Sequence, residues 1–216
     1  MMSPGEQLAQ QYATYLSRPI GAVAEDLVRY GALLLKWNAV QNLVSRETEV
    51  ALWDRHIADS LQLLPLLRET DRSLLDLGSG GGLPAIPLAI CLKGGARSYR
   101  LVEPATKKVA FLRTAIRELR LDCTIDPRRS DTIDSRETGP VDVITSRALA
   151  GLPLLLALSS PFFGAETRGL FHKGREHPEE VRESRLAWNF DVVIHPSTTD
   201  AGGAVLEVSR LTRRLN

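Results

Sequence analysis

The chain has little cysteine. Cys91 and Cys123 are its only two among 216 residues. They lie far apart, with no histidine or second cysteine at ligand spacing, so a disulfide framework and a zinc site are not expected. A reduced compartment, the cytoplasm, is. Long hydrophobic runs are also missing. The longest nearly apolar stretches, residues 83–92 and 152–163, are too short to span a bilayer. The opening Met1-Met2-Ser3-Pro4-Gly5-Glu6 has no basic n-region and no apolar h-region, so no secretory signal is expected. Repeats and low-complexity segments are absent. Neither sign of charge is in excess: the net charge is +1, which provides no global basic field for nucleic acid. The balance is uneven, with 6 basic and 8 acidic residues in positions 1–70 and 21 and 18 in the remainder. An RNA partner would have to be met by local basic patches. What is present, 44% hydrophobic and 25% charged residues, suits a folded globular chain with a substantial core.

One stretch organises the rest: Leu74-Leu75-Asp76-Leu77-Gly78-Ser79-Gly80-Gly81-Gly82-Leu83-Pro84. The apolar run reads as a buried strand carrying one carboxylate. The glycines allow a tight turn and close approach of a ligand to the backbone. Pro84 suits the first turn of a helix. Strand, glycine loop and helix place a ligand over the carboxyl end of the first strand of an open α/β sheet. The dinucleotide fingerprint G-x-G-x-x-G fits at Gly78 and Gly80 but fails at Leu83. The pattern Asp-x-Gly-x-Gly-x-Gly instead resembles the first motif of Rossmann-like S-adenosylmethionine-dependent methyltransferases.

Before this stretch, apolar spacing predicts helices over about residues 6–18, 22–37 and 47–68, the last with Val50, Trp53, Ile57, Leu61 and Leu64 on one stripe. Arg55 and Asp59 are spaced for a helical ion pair. Residues 1–70 are therefore expected to form a helical extension, a lid or substrate platform, on a methyltransferase domain at 71–216. After it, strand and helix alternate, which predicts a mostly parallel sheet. Strands are expected near residues 98–103, 123–125, 141–146 and 168–174, with two late strands, 190–195 and 204–211, forming a hairpin. Glu103, ending the second strand, is placed to accept from ribose hydroxyls. Lys107 and Lys108 oppose the dipole of the helix they begin, so something besides helix stability would keep them. Arg147, where the fourth strand stops, has the geometry to hold a carboxylate or phosphate.

Read together, these stretches resemble one family, the bacterial small-subunit ribosomal RNA guanine-N7 methyltransferases, also called glucose-inhibited division protein B. The resemblance runs from about Trp37 to Lys173. It is carried by Asn42-Leu43-Val44-Ser45, Arg55-His56-Ile57-Ala58-Asp59-Ser60, the glycine motif through Leu88, Lys107-Lys108-Val109-Ala110-Phe111-Leu112, Ser146-Arg147-Ala148 and His172-Lys173-Gly174. It implies an α/β fold of the class I methyltransferases: a seven-stranded, mostly parallel sheet with helices on both faces. It implies S-adenosyl-L-methionine as cofactor, with Gly78, Leu83, Ser130, Asp131 and Arg147 as contacts beside Asp76, Gly80 and Glu103. The implied substrate is a guanine at position 527 of 16S rRNA, met as RNA or in a small-subunit intermediate. Asn42, Arg55, His56, Arg129 and Lys173 are expected on the RNA side.

Guanine N7 has an in-plane lone pair and no proton to lose, so no general base is expected. Arg147 and Lys107 are the candidates for positioning. No metal, no membrane association and a monomer are expected. A small-molecule methyltransferase would keep the same cofactor residues but would have no reason for cations at several strand ends. A nicotinamide-dependent oxidoreductase is disfavoured by the missing third glycine. A non-catalytic ribosome assembly factor would bind RNA without needing the glycine loop.

Overall fold

The computed structural model describes residues 2–214, without the side chains of Arg46 and Thr48. Seven strands form one sheet in the order β3-β2-β1-β4-β5-β7-β6. β1 (Ser73–Leu77), β2 (Ser98–Val102), β3 (Cys123–Asp126), β4 (Val143–Arg147) and β5 (Arg168–Lys173) are mutually parallel. β6 (Trp188–Pro196) and β7 (Ala204–Arg213) form the expected hairpin, and β7 inserts antiparallel between β5 and β6.

The helices are α1 (Pro4–Gln11), α2 (Ile20–Asn38), α3 (Arg46–Glu49), α4 (Asp59–Leu61), α5 (Ala85–Cys91), α6 (Thr106–Leu119), α7 (Leu152–Ser159) and α8 (His177–Ser184). Alternate residues of each strand face opposite layers, as a pleated strand requires. Leu74, Leu101, Val143, Leu170 and Val205 pack with α1, α2, α5 and α6. Leu75, Val102, Ile144, Phe171 and Leu206 pack on the other face, with α7, Trp188 and Phe190. The N-terminal helices thus extend one helical layer and share its core.

The single helix expected over residues 47–68 is broken into α3, a π-helical turn Trp53–Ala58, α4 and a 3-10 turn Leu64–Leu66. A π turn carries an extra residue per turn, which shifts the apolar stripe. Val50, expected on the stripe, is 93% exposed, and Leu52 is buried instead. The expected Arg55–Asp59 pair is not made. Arg55 pairs with Asp200 at 3.1 Å and Asp59 with Arg147 at 3.2 Å.

Two polar contacts lock these parts together. The fully buried Tyr30 hydroxyl of α2 donates to the Gly81 carbonyl at 2.7 Å. At the other end of the sheet, buried Arg168 of β5 binds Asp71 and Glu207, each at 2.8 Å, and the Leu66 carbonyl at 3.1 Å.

Candidate active site

The crossovers from β1 and to β4 leave the sheet on different sides, which opens a crevice over their carboxyl ends. Beyond β1 the backbone turns through Gly78, Gly80 and Gly82, with φ of 71°, 55° and 82°. A Cβ at Gly78 would stand 2.7 Å from Leu149 Cδ1, and one at Gly82 would stand 2.3 Å from Ile86 Cγ1. Space and conformation both demand glycine there. Glu103, just past β2, braces this loop. Its Oε2 accepts from the Gly80 N–H at 2.8 Å and its Oε1 from the Ala105 N–H at 2.9 Å. A carboxylate has about four acceptor sites, so two remain for ligand hydroxyls.

Asp76 on β1 is buried. The Thr145 hydroxyl donates to its Oδ1 at 2.7 Å, and its Oδ2 has no hydrogen-bond partner. Burial pushes its pKa up to about 7.

A cavity of about 140 Å³ lies beside the glycine loop, lined by Gly78, Arg129, Ser130, Asp131 and Leu149. Arg129 and Asp131 form a two-pronged pair at 3.1 and 2.8 Å, which holds the Asp131 carboxyl below its usual range. A second cavity, of about 520 Å³, is walled by the π turn, the ends of β4 and β5, and the turn joining β6 to β7. The two cavities adjoin at residues 147–149, where Arg147 and Ala148 line the large one and Leu149 the small one.

Asp59 knits the large cavity together. Its Oδ2 pairs with Arg147, its Oδ1 accepts from the Thr199 hydroxyl and the Gln62 amide at 2.7 Å, and its carbonyl is 2.8 Å from His172 Nε2. Arg147 also donates to the Arg55 carbonyl at 2.9 Å and lies 2.6 Å from His56 Nδ1. A guanidinium only donates, so His56 Nδ1 accepts and its proton sits on Nε2. Burial, then Arg147, lowers the His56 pKa to about 4, which keeps the ring neutral. By the same reasoning His172 Nε2 donates to Asp59, and its buried Nδ1 is an acceptor with no hydrogen-bond partner. Lys173 is tied to Glu180 and to the Ala150 carbonyl.

Of the residues singled out in the sequence, Arg55, His56, Arg147 and Lys173 meet at the large cavity, and Gly78, Ser130, Asp131 and Arg129 at the small one. Arg129 thus lies on the glycine-loop side. Leu83 is buried in the core, and its side chain lines neither cavity. Asn42 is exposed outside both, where Leu43, Val44 and Ser45 line the large one. Lys107 is exposed in the first turn of α6 and lines neither. Sequence reading missed Asp59, His172, Thr199 and Asp200. Asp59 stood in a quoted motif but was matched with Arg55. Thr199 reaches it from 140 positions away, a contact no local spacing signals. Among the described residues, no three His, Cys, Asp or Glu side chains are grouped to hold a metal ion.

Solved structures share the architecture. A glycopeptide N-methyltransferase, MtfA, complexed with S-adenosyl-L-methionine, matches with a TM-score of 0.58 and 13% identity over 71% of this chain and 93% of its own. A fibrillarin/Nop5p complex matches at 0.55 and 18%, over 67% and 74%. At these identities the likeness is one of fold. Sequence relatives are much nearer. The ribosomal RNA small subunit methyltransferases G of Brucella ovis and Brucella suis biovar 1 are 42% identical over 194 residues, covering 88% of this chain and 89% of theirs. The family described as rRNA small subunit methyltransferase G matches residues 23–208. Spanned by that match over most of its length, the chain belongs to the rRNA small subunit methyltransferase G family.

Proposed function

We propose that this protein transfers a methyl group from S-adenosyl-L-methionine to N7 of a guanine in 16S rRNA, at position 527, with the cofactor over the glycine loop and the guanine in the large cavity. The carrying observation is that the two cavities adjoin at residues 147–149, Arg147 and Ala148 lining the large one and Leu149 the small one. A group presented there from the glycine-loop side would be offered to a base in the large cavity.

The residues fit this cofactor. Asp76 Oδ2 is a buried acceptor in need of a donor, which an ammonium supplies. Glu103 keeps two acceptor sites for ribose hydroxyls, and Ser130 and Asp131 edge the small cavity. When bound, the sulfonium supplies an activated methyl group. The chain supplies alignment. Arg147, bound to Asp59, His56 and the Arg55 carbonyl, ties the end of β4 to the π turn where the two cavities adjoin. Positioning of this kind contributes up to about 7–11 kcal/mol in favourable cases. Guanine N7 has an in-plane lone pair and no proton to lose, so accepting that methyl group would require no base from the chain. The unprotonated nitrogen of His56 is already occupied by Arg147, which leaves that ring no lone pair with which to act as a general base. The protein acts as a monomer in the cytoplasm, and its helical N-terminal part (residues 1–70) frames the substrate side of the methyltransferase core (71–216).

The test is tritium transfer from labelled S-adenosylmethionine to purified small subunits and to protein-free 16S rRNA, with borohydride–aniline cleavage to map the base. Cleavage at a single guanine is expected. Transfer to neither acceptor, with cofactor still bound, would overturn the assignment and favour a small-molecule acceptor.

A further inference from the structure

At the rim of the large cavity an arginine faces a carboxylate. Arg55 Nη1 of the π turn lies 3.1 Å from Asp200 Oδ2, and both side chains are half exposed. Arg175, exposed just after β5, also bears on Asp200 electrostatically and packs beside Gly202 of the same turn. Asp200 is held rigidly. Its Oδ1 accepts from the Gly202 N–H at 3.0 Å, and Ser197 Oγ accepts from the Thr199 and Asp200 N–H groups at 3.2 Å. Thr199 anchors the turn to Asp59, and the Thr198 N–H anchors it to Gln62 Oε1 at 3.0 Å.

A hydrogen-bonded turn therefore presents an acceptor-only group to the Arg55 guanidinium at the entrance to the proposed RNA cavity. An RNA phosphate would seek the same partner with the same geometry. An exposed ion pair contributes little to the fold, so exchanging it for a phosphate loses little. Two other cations that line this cavity are engaged internally: Arg147 by Asp59 and Lys173 by Glu180.

We propose that Asp200 stands in for an RNA phosphate, occupying Arg55 in the free protein, and that Arg55 swings from it to a phosphate presented by correctly seated RNA. It is then a selectivity residue that suppresses binding of loose single-stranded RNA. The inference rests on the RNA reading above.

Binding of a labelled polyuridylate oligomer, followed by fluorescence anisotropy across salt, tests it in the wild type, Asp200→Asn, Asp200→Ala, Arg55→Ala and the Arg55→Ala/Asp200→Asn double variant. Asp200→Asn retains an acceptor for Gly202, and cofactor binding by calorimetry reports an intact fold. Both Asp200 variants should bind the oligomer about three- to tenfold more tightly. Their salt slope should steepen by about 0.7, the signature of one added phosphate contact on a single strand. The double variant should lose the gain. Unchanged or weaker binding by both Asp200 variants, or a gain that survives without Arg55, would overturn the proposal. Methyl transfer by the wild type to small subunits is measured alongside. Its failure counts against the RNA-methylation reading, whereas the binding cycle alone decides the role of Asp200.

Discussion

Two buried ionisable groups pull the pH dependence of this protein in opposite directions. An unfolded histidine takes a proton below about pH 6.5, but His56 in the fold resists until about pH 4. The unfolded state then binds more protons across that window, so stability falls as pH drops through it, by about 1–2 kcal/mol at pH 5. The His56 ring resonances should stay flat from pH 8 to pH 5.5 in an NMR titration. A midpoint near 6.5 would show the ring to be neither buried nor beside Arg147 as described. Asp76 behaves conversely. The unfolded chain releases this proton near pH 3.8 and the fold near pH 7, so its penalty grows as pH rises through that range. Asp76→Asn should raise the thermal midpoint of the ligand-free protein at pH 8, leave it nearly unchanged at pH 4, and weaken cofactor binding. At this scale the sequence was informative about residue type. Asp76, Glu103 and Arg147 were singled out because each ends or lies in an apolar strand. Their partners were not legible: Glu103 turned out to brace Gly80, and Arg147 to bind the π turn 92 positions away.

Among elements, the glycine loop is held from outside as well as by its own turn. Tyr30→Phe removes the donor to the Gly81 carbonyl and leaves it buried and unsatisfied. A cost of about 1–3 kcal/mol in stability is expected, with a larger proportional loss of cofactor affinity than of polyuridylate binding. Calorimetry with S-adenosylmethionine and anisotropy with the oligomer would separate the two. Gly82→Ala should be worse, because a Cβ there meets both a left-handed φ and Ile86. Failure to accumulate as folded protein, judged by near-ultraviolet circular dichroism, is the expected outcome. The five parallel strands were readable because buried parallel strands are short apolar runs between turn residues. The helix over residues 47–68 was misread because periodicity assumes one period throughout. The π turn breaks that period, and it is where Arg55 and His56 reach the cavity.

For the whole molecule, the shared core means that the N-terminal helices are not an independent unit. Residues from Leu8 to Val205 fall in one continuous cluster. Trp37 and Trp53 report on the helices and Trp188 on the sheet. Single-tryptophan variants should therefore unfold with coincident urea midpoints, and a separate early transition for Trp37 would argue for two units. Arg168 ties the link into β1 to β5 and β7. Arg168→Ala, which strands Asp71 in the interior, should cost about 3–5 kcal/mol in the same experiment. The sheet order has a further consequence. β7 lies between β5 and β6, and the turn joining the last two strands supplies Thr199 and Asp200 to the cavity. During synthesis the chain emerges from its N-terminus, so the glycine loop is made well before that turn exists. A chain whose last two strands have yet to be made therefore has no finished cleft, and the cavity closes only once the turn between them has formed.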